Sequence, residues 1–150
     1  MSQYTDVLVT TDGSDCAGDA AAHAVALADA HDATLHALYV VETRTGYDNA
    51  IVDPETVRVR LHEEGSEATA AIAERARTSG VDVVTAVAEG SPPDEILAYV
   101  AEHDVDVVVM GARGRSAFRT ALLGSTTESV LARSDVPVLV VGRSDGRDDD

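Results

Sequence analysis

Residues 111–126, GARGRSAFRTALLGST, contain the residue types best suited to binding an anion. Glycines at 111, 114 and 124 allow a ligand to approach the backbone closely, because glycine has no side chain. Residues 125–128, STTE, have the form of a capping box, which predicts that a helix begins just after Ser125. A helix N-terminus presents unpaired N–H groups and the positive end of the helix dipole, so this stretch is typical of a phosphate site.

The same stretch carries the positive charge that a phosphate requires. Arg113, Arg115 and Arg119 lie here, and no acidic residue occurs between Val107 and Thr127. Single glycines and arginines are more typical of turns and solvated surface, and that interpretation stays open for each residue taken alone. Their combination within one stretch favours an anionic ligand over a carboxylate-rich metal site.

The rest of the chain is strongly acidic, with 27 Asp and Glu residues, 11 basic residues and a net charge of −16. All the basic residues are arginine, and no lysine is present. Such a surface repels nucleic-acid phosphates, so binding to DNA or RNA through a broad basic face is not expected. The composition is typical of salt-loving microbes, because about 1 M internal salt shortens the Debye length to about 3 Å and screens self-repulsion. An ordinary acidic protein is the alternative.

The elements that must position these residues alternate along the chain. Short runs rich in β-branched residues predict strands at 6–10, 34–41, 81–88, 105–110 and 137–141. Helical patterns lie between them at 14–31, 54–79, 92–103 and 126–133. Nearly continuous apolar strands separated by helices indicate parallel βαβ units. We therefore predict an α/β fold, a doubly wound open sheet of five parallel strands in the order 3-2-1-4-5 with helices on both faces.

The chain length of 150 residues favours one domain, which we place at residues 1–142. Residues 143–150 contain no apolar side chain and are expected to form a disordered acidic tail. No apolar run approaches the roughly 20 residues of a membrane helix, and no signal peptide is recognisable. We expect a cytoplasmic protein without a membrane partner. Cys16, the single cysteine, excludes an intrachain disulfide and suggests a small apolar packing residue.

Ligands of doubly wound sheets bind at the carboxyl ends of the strands, so residues following each strand are the candidates. Thr11 and Asp12 follow the first strand and offer a hydroxyl and a carboxylate, although helix capping alone would explain them. The end of the second strand, at Val40, could contact a base through its backbone.

Other nucleotide and catalytic sites lack their required residues. The absence of lysine excludes a P-loop, no GxGxxG follows the first strand, and no GxSxG is present. A phospho-receiver domain needs an aspartate after the third strand and a lysine later in the chain. This chain has Ala88, Glu89 and Gly90 after the third strand, and it has no lysine. The five histidines lie in helices and strands and are expected to be surface or half-buried side chains, not metal ligands: His23, His31, His36, His62 and His103.

The pattern Gly111-x2-Gly114-x9-Gly124-Ser125 resembles the nucleotide-binding signature of ATP-binding universal stress proteins. VLVTTDGSD, EGSPPDEI and PVLVV also resemble segments of that family, so the resemblance covers almost the whole chain. It implies that Asp12 lies near the ribose and metal, that Val40 contacts adenine through its backbone and that Met110 lines the pocket. Thr11, beside Asp12, is a further candidate for nucleotide binding. It implies phosphate contacts for Gly111, Gly114, Gly124, Ser125 and Thr126. A phosphate contact by Arg113 is our own hypothesis.

We therefore expect a regulatory or stress-response module that binds ATP or AMP with Mg²⁺, held at Asp12. No general base is evident, so binding is favoured over efficient catalysis. A slow ATPase switch and a dimeric stress protein without nucleotide remain alternatives. The resemblance also implies a homodimer formed through residues 137–141, acting on an unknown client protein. If Glu128 caps the Ser125 N–H, it should compete with phosphate for that donor.

Overall fold

The computed structural model describes residues 4–42, 53–112 and 123–142. Within these ranges strands and helices alternate as predicted, and their bounds are β1 Asp6–Thr10, α1 Asp15–His31, β2 Thr34–Glu42, α2 Pro54–Thr78, β3 Val83–Gly90, α3 Pro92–His103, β4 Val107–Gly111, α4 Ser125–Arg133 and β5 Val138–Val141. The predicted tail, 143–150, lies outside the described residues. Within the described ranges, the helices are too short or too polar to cross a membrane.

All neighbouring strands are parallel, and the sheet order is β3-β2-β1-β4-β5. This confirms the predicted fold class and strand order. The central strand β1 pairs on both sides, with Val7 opposite Leu35 of β2 and opposite Val107 of β4. From β1 the chain proceeds toward one edge of the sheet, and from β4 it proceeds toward the other. The carboxyl ends of β1 and β4 therefore form the switch point at which such sheets bind ligands.

Helices cover both faces of the sheet, which explains why the strands are apolar at nearly every position. In β1, Val7 and Val9 pack in one core cluster with residues of α1 and α2, whereas Leu8 packs in the other with residues of α3 and α4. All three side chains have 0% exposure. A strand buried on both faces cannot show the alternation of polar and apolar residues seen in half-exposed strands.

Two strands begin two residues later than predicted, β3 at Val83 and β4 at Val107. The apolar residues assigned to their starts instead close the preceding helices. Val81 donates its N–H to Ala76 O at 2.8 Å, and Val105 donates to Val100 O at 3.1 Å. Both valines are buried, so hydrophobic contact and hydrogen bond together end the helix. Their β propensity was therefore misleading about the boundary.

His36 contradicts the expectation that the histidines are surface or half-buried, because only 6% of this residue is exposed. Its Nε2 lies 2.9 Å from Asp6 Oδ1, and its Nδ1 lies 2.7 Å from the Tyr99 hydroxyl. Both ring nitrogens thus have partners, as a buried imidazole requires. Burial, followed by the nearby Asp6 charge, raises the pKa of Tyr99. His23, His31, His62 and His103 are exposed or intermediate, as predicted.

Candidate functional site

The exit of β1 forms a tight turn held by its own polar side chains. Thr11 Oγ1 accepts the Gly13 N–H at 3.1 Å, and Asp12 Oδ1 accepts the Ser14 N–H at 2.9 Å. Gly13 has a φ of 83°, a conformation that favours glycine. Ser14 is the N-cap of α1, and its Oγ accepts the Ala17 N–H at 3.2 Å. Thr11 and Asp12 therefore stabilise the turn before α1, which agrees with the structural alternative given for them above.

Helix α4 begins one residue earlier than predicted, and the capping box is not formed. Gly124 is the N-cap, with φ −73° and ψ 161°, and its carbonyl accepts the Glu128 N–H at 2.9 Å. Ser125 is then the first helical residue, and Glu128 lies one position too far along for a capping box. The capping-box interpretation is wrong, so Glu128 is no longer expected to compete with phosphate for the Ser125 N–H.

The actual start of α4 is better suited to an anion than the predicted one. In an α-helix the first N–H groups, here those of residues 125–127, have no carbonyl partner within the helix. Gly124 has no side chain that could accept from them, and α4 has no side-chain cap hydrogen bond. Gly124 is buried, Ser125 is exposed and Thr126 is intermediate. A nine-residue helix thus directs its positive end toward the carboxyl edge without a side-chain cap.

Two hydrogen bonds fix the start of α4 against the end of β4. Gly124 donates its N–H to Ala112 O at 2.8 Å. Thr127 donates its hydroxyl to Gly111 O at 2.9 Å, and only 4% of Thr127 is exposed. Sequence reasoning missed Thr127. The available signal was its spacing of three residues from Val130, which places a hydroxyl on the buried face of the helix.

Gly111 has a packing role that the sequence did not reveal. A Cβ at this position would lie 2.8 Å from Cys16 Cβ and 2.9 Å from the Cys16 carbonyl carbon. The first turn of α1 therefore rests directly on the end of β4, and any side chain at 111 would collide with it. Cys16 is 4% exposed, which confirms its expected role as a small packing residue.

Val40 and Met110 both belong to the core on the α3 and α4 face. Val40 is partly buried and pairs with Ala88, whereas Met110 is 3% exposed. The structure thus brings Gly111, Gly124, Ser125 and Thr126 together at one strand end, with Thr11 and Asp12 following the adjacent strand. Arg113 and Gly114 lie outside the described residues.

The carboxylate at the end of β3 is bound by Arg58 of α2 and lies close to His62 of the same helix. Glu89 Oε2 accepts from Arg58 Nε at 2.8 Å, and Glu89 Oε1 lies 3.5 Å from His62 Nε2. The hydrogen bond from Arg58 is the main reason that the pKa of Glu89 is lowered, with His62 contributing and burial opposing. A carboxylate held in its ionised form in this way is a weak proton acceptor, so Glu89 is a poor general base.

In residues 4–42, 53–112 and 123–142, no group of three or more His, Cys, Asp and Glu side chains is arranged so that it could hold a metal ion. Magnesium does not require such a group when it accompanies a nucleotide. It usually retains water and binds one or two carboxylates together with phosphate oxygens. A single carboxylate at the strand edge, such as Asp12, fits that pattern.

Comparison with known proteins supports the resemblance noted in the sequence. The model of the universal stress protein family matches residues 3–142. A universal stress protein of Methanocaldococcus jannaschii is 36% identical over 139 residues, which cover 92% of this chain and 82% of the relative.

Solved structures of similar proteins have the same architecture. The universal stress protein UspA from Lactobacillus plantarum superposes with a TM-score of 0.79 at 32% identity, covering 94% of this chain and 99% of that one. A universal stress protein described in complex with cAMP gives a TM-score of 0.69 at 27% identity, covering 94% and 98% of the two chains. This chain therefore shares its fold with each of these two proteins over nearly its full length.

Proposed function

The chain belongs to the universal stress protein family, and from that premise we propose that it binds an adenine nucleotide, ATP or AMP, as a regulatory or stress-response module. The observation that carries the proposal is the start of α4. Its first N–H groups lack a side-chain cap, and the buried Gly124 stands at the cap position. Oriented N–H groups at a helix N-terminus bind phosphate without needing a lysine.

The nucleotide would lie along the carboxyl edge, across the switch point between β1 and β4. Its phosphates would contact residues on both sides of the β4 exit, namely Gly111, Arg113, Gly114, Gly124, Ser125 and Thr126. Asp12 would hold Mg²⁺ together with phosphate oxygens, and Thr11 would lie beside it. Adenine would contact the backbone at Val40, with Met110 beneath it. The relative described with cAMP supports the choice of an adenine nucleotide.

We favour binding over efficient hydrolysis because the nearby carboxylates are already engaged. Asp12 Oδ1 accepts a backbone N–H, and Glu89 is bound by Arg58. Neither carboxylate is placed as a free base to activate water. A slow ATPase, in which hydrolysis resets the regulatory state, is the second candidate.

The test is to purify the protein in molar salt without added nucleotide, denature it and identify what is released by mass spectrometry. We expect an adenine nucleotide in an amount approaching one per chain. If none is released, titration with ATP and AMP by calorimetry follows. A protein that releases no nucleotide and binds neither ligand would contradict the proposal.

We further propose a cytoplasmic homodimer, adapted to molar salt, that pairs through the edge strand β5. Leu139 of β5 and Leu131 of α4 are each 41% exposed, although both are large apolar residues. Exposed apolar side chains on or beside an edge strand are typical of an interface. Two chains of net charge −16 repel each other, and molar salt would screen that repulsion.

Light scattering in a salt series tests this part of the proposal. At about 2 M salt the mass should be twice the 15.6 kDa of one chain. At about 0.01 M salt, where the Debye length reaches about 30 Å, the dimer should dissociate. A monomer at every salt concentration would contradict the dimer, and a dimer that is indifferent to salt would contradict the salt adaptation.

A further inference from the structure

We propose that Thr127 is a positioning residue for the phosphate site, holding the first turn of α4 at a fixed place against the end of β4. The inference rests on the proposed nucleotide function and assigns a role to a residue outside the glycine signature. Thr127 itself need not contact the nucleotide. It acts through the N–H groups of the residues that precede it in the same helical turn.

The hydrogen bond of Thr127 is unusual for a buried threonine in a helix. Such a hydroxyl commonly donates to the carbonyl four residues earlier, as Thr69 does to Gly65 O at 3.0 Å. Thr127 instead donates to Gly111 O at 2.9 Å, sixteen residues away in the chain. The bond therefore connects a helix to a strand, whereas that of Thr69 stays within one helix.

The acceptor of this bond is itself held in place. The Gly111 carbonyl and the Ala112 N–H belong to the same peptide unit, and that N–H donates to Val141 O at 2.8 Å. β5 thus holds one side of the peptide unit, and Thr127 binds the other. Because the strand side is fixed by the sheet, the Thr127 bond positions the helix relative to the sheet.

Ser125 and Thr126 directly precede Thr127 in the first turn, so their N–H groups move with it. Among the described residues, a second bond at this point runs from Gly124 N–H to Ala112 O. Packing of Val130 in the core holds the body of α4, and the second bond restricts the direction of its first turn more than one bond alone would. Preorganised donors bind an anion more tightly, since no ordering cost is paid on binding.

The test compares Thr127→Val, which keeps the side-chain shape and removes the donor, with Thr127→Ser, which keeps the donor. We expect Val to raise the Kd for ATP or AMP about fivefold to tenfold, which lies within the range expected for the loss of one hydrogen bond. Ser should remain within about twofold of the wild type. Thr69→Val is the matched control, because Thr69 is also buried and hydrogen-bonded but lies on α2, and it should leave the Kd unchanged.

Hydrogen exchange of the nucleotide-free protein separates this inference from the proposed function. Thr127→Val should speed exchange of the Gly124 and Glu128 amides about tenfold, whereas Ser and the Thr69→Val control should not. If the wild type binds no nucleotide, the proposed function fails, and the role of Thr127 in binding fails with it. The exchange data would still test whether the Thr127–Gly111 hydrogen bond holds the start of α4. Unchanged exchange in Thr127→Val, or faster exchange with an unchanged Kd, would overturn the positioning role. A Ser variant as weak as Val would do the same.

Discussion

Replacing Gly111 with alanine should lower the free energy of unfolding by about 1–3 kcal/mol, the usual range for overpacking a core site. The added Cβ would lie 2.8 Å from Cys16 Cβ, 2.9 Å from the Cys16 carbonyl carbon and 3.0 Å from its oxygen. Two of these three atoms belong to the backbone of α1, so a rotamer change cannot relieve the contact. The helix must move away from β4. Urea unfolding followed by circular dichroism measures the change.

Gly18→Ala is the matched control for this prediction. Gly18 lies in the same helix, and a Cβ there would meet no atom within 4 Å. Alanine at that position should leave stability unchanged or raise it by about 0.5–1 kcal/mol, since glycine is a poor residue inside a helix. A Gly111→Ala variant as stable as the wild type would show that α1 does not rest on the end of β4 in solution.

The packing role of Gly111 changes how the glycine signature should be interpreted. The sequence suggested that each glycine clears space for phosphate, but at Gly111 the space is filled by Cys16. If a Gly111 variant lost nucleotide binding, displacement of α1 and obstruction of the phosphate site would both explain the loss. Gly124, at the N-cap of α4, is the position where the two effects can be separated.

The fold was predictable because its determinants are local. The three central strands, β2, β1 and β4, are largely buried and read as nearly continuous apolar runs, which predict a parallel sheet. The boundaries were less predictable, since a valine after a helix can either start a strand or close the helix. Val81 and Val105 do the latter, and only the position of the helix carbonyls decides it.

The site was only partly predictable, because its polar contacts join distant parts of the chain. Thr127 reaches Gly111 across sixteen residues, and the same difficulty applies away from the site, where His36 reaches Tyr99 across 63 residues. No spacing rule encodes such pairs. The prediction of the helix cap was wrong for a different reason. The residues STTE fit a capping box, but the Gly124 carbonyl accepts the Glu128 N–H, so the helix begins one residue earlier.

Gly124→Val should abolish nucleotide binding, raising the Kd at least about 100-fold, while the protein remains folded. An N-cap side chain normally lies beside the N–H groups of the second and third helical residues, which is why serine and aspartate can cap them. Valine would cover those groups without accepting a hydrogen bond, so neither phosphate nor water could reach them. The φ of −73° and ψ of 161° at Gly124 are accessible to valine, so the backbone itself does not oppose the change.

Ser91→Val provides the control, since it places the same side chain at the N-cap of α3. Ser91 also has extended backbone and makes no side-chain cap hydrogen bond there. The Kd of the Ser91→Val variant for nucleotide should stay within about twofold of the wild type, because the proposal places the phosphates at α4. Calorimetric titration with ATP and AMP gives both values, and circular dichroism confirms that each variant is folded. A folded Gly124→Val protein that still binds nucleotide would place the phosphates elsewhere and remove α4 from the site.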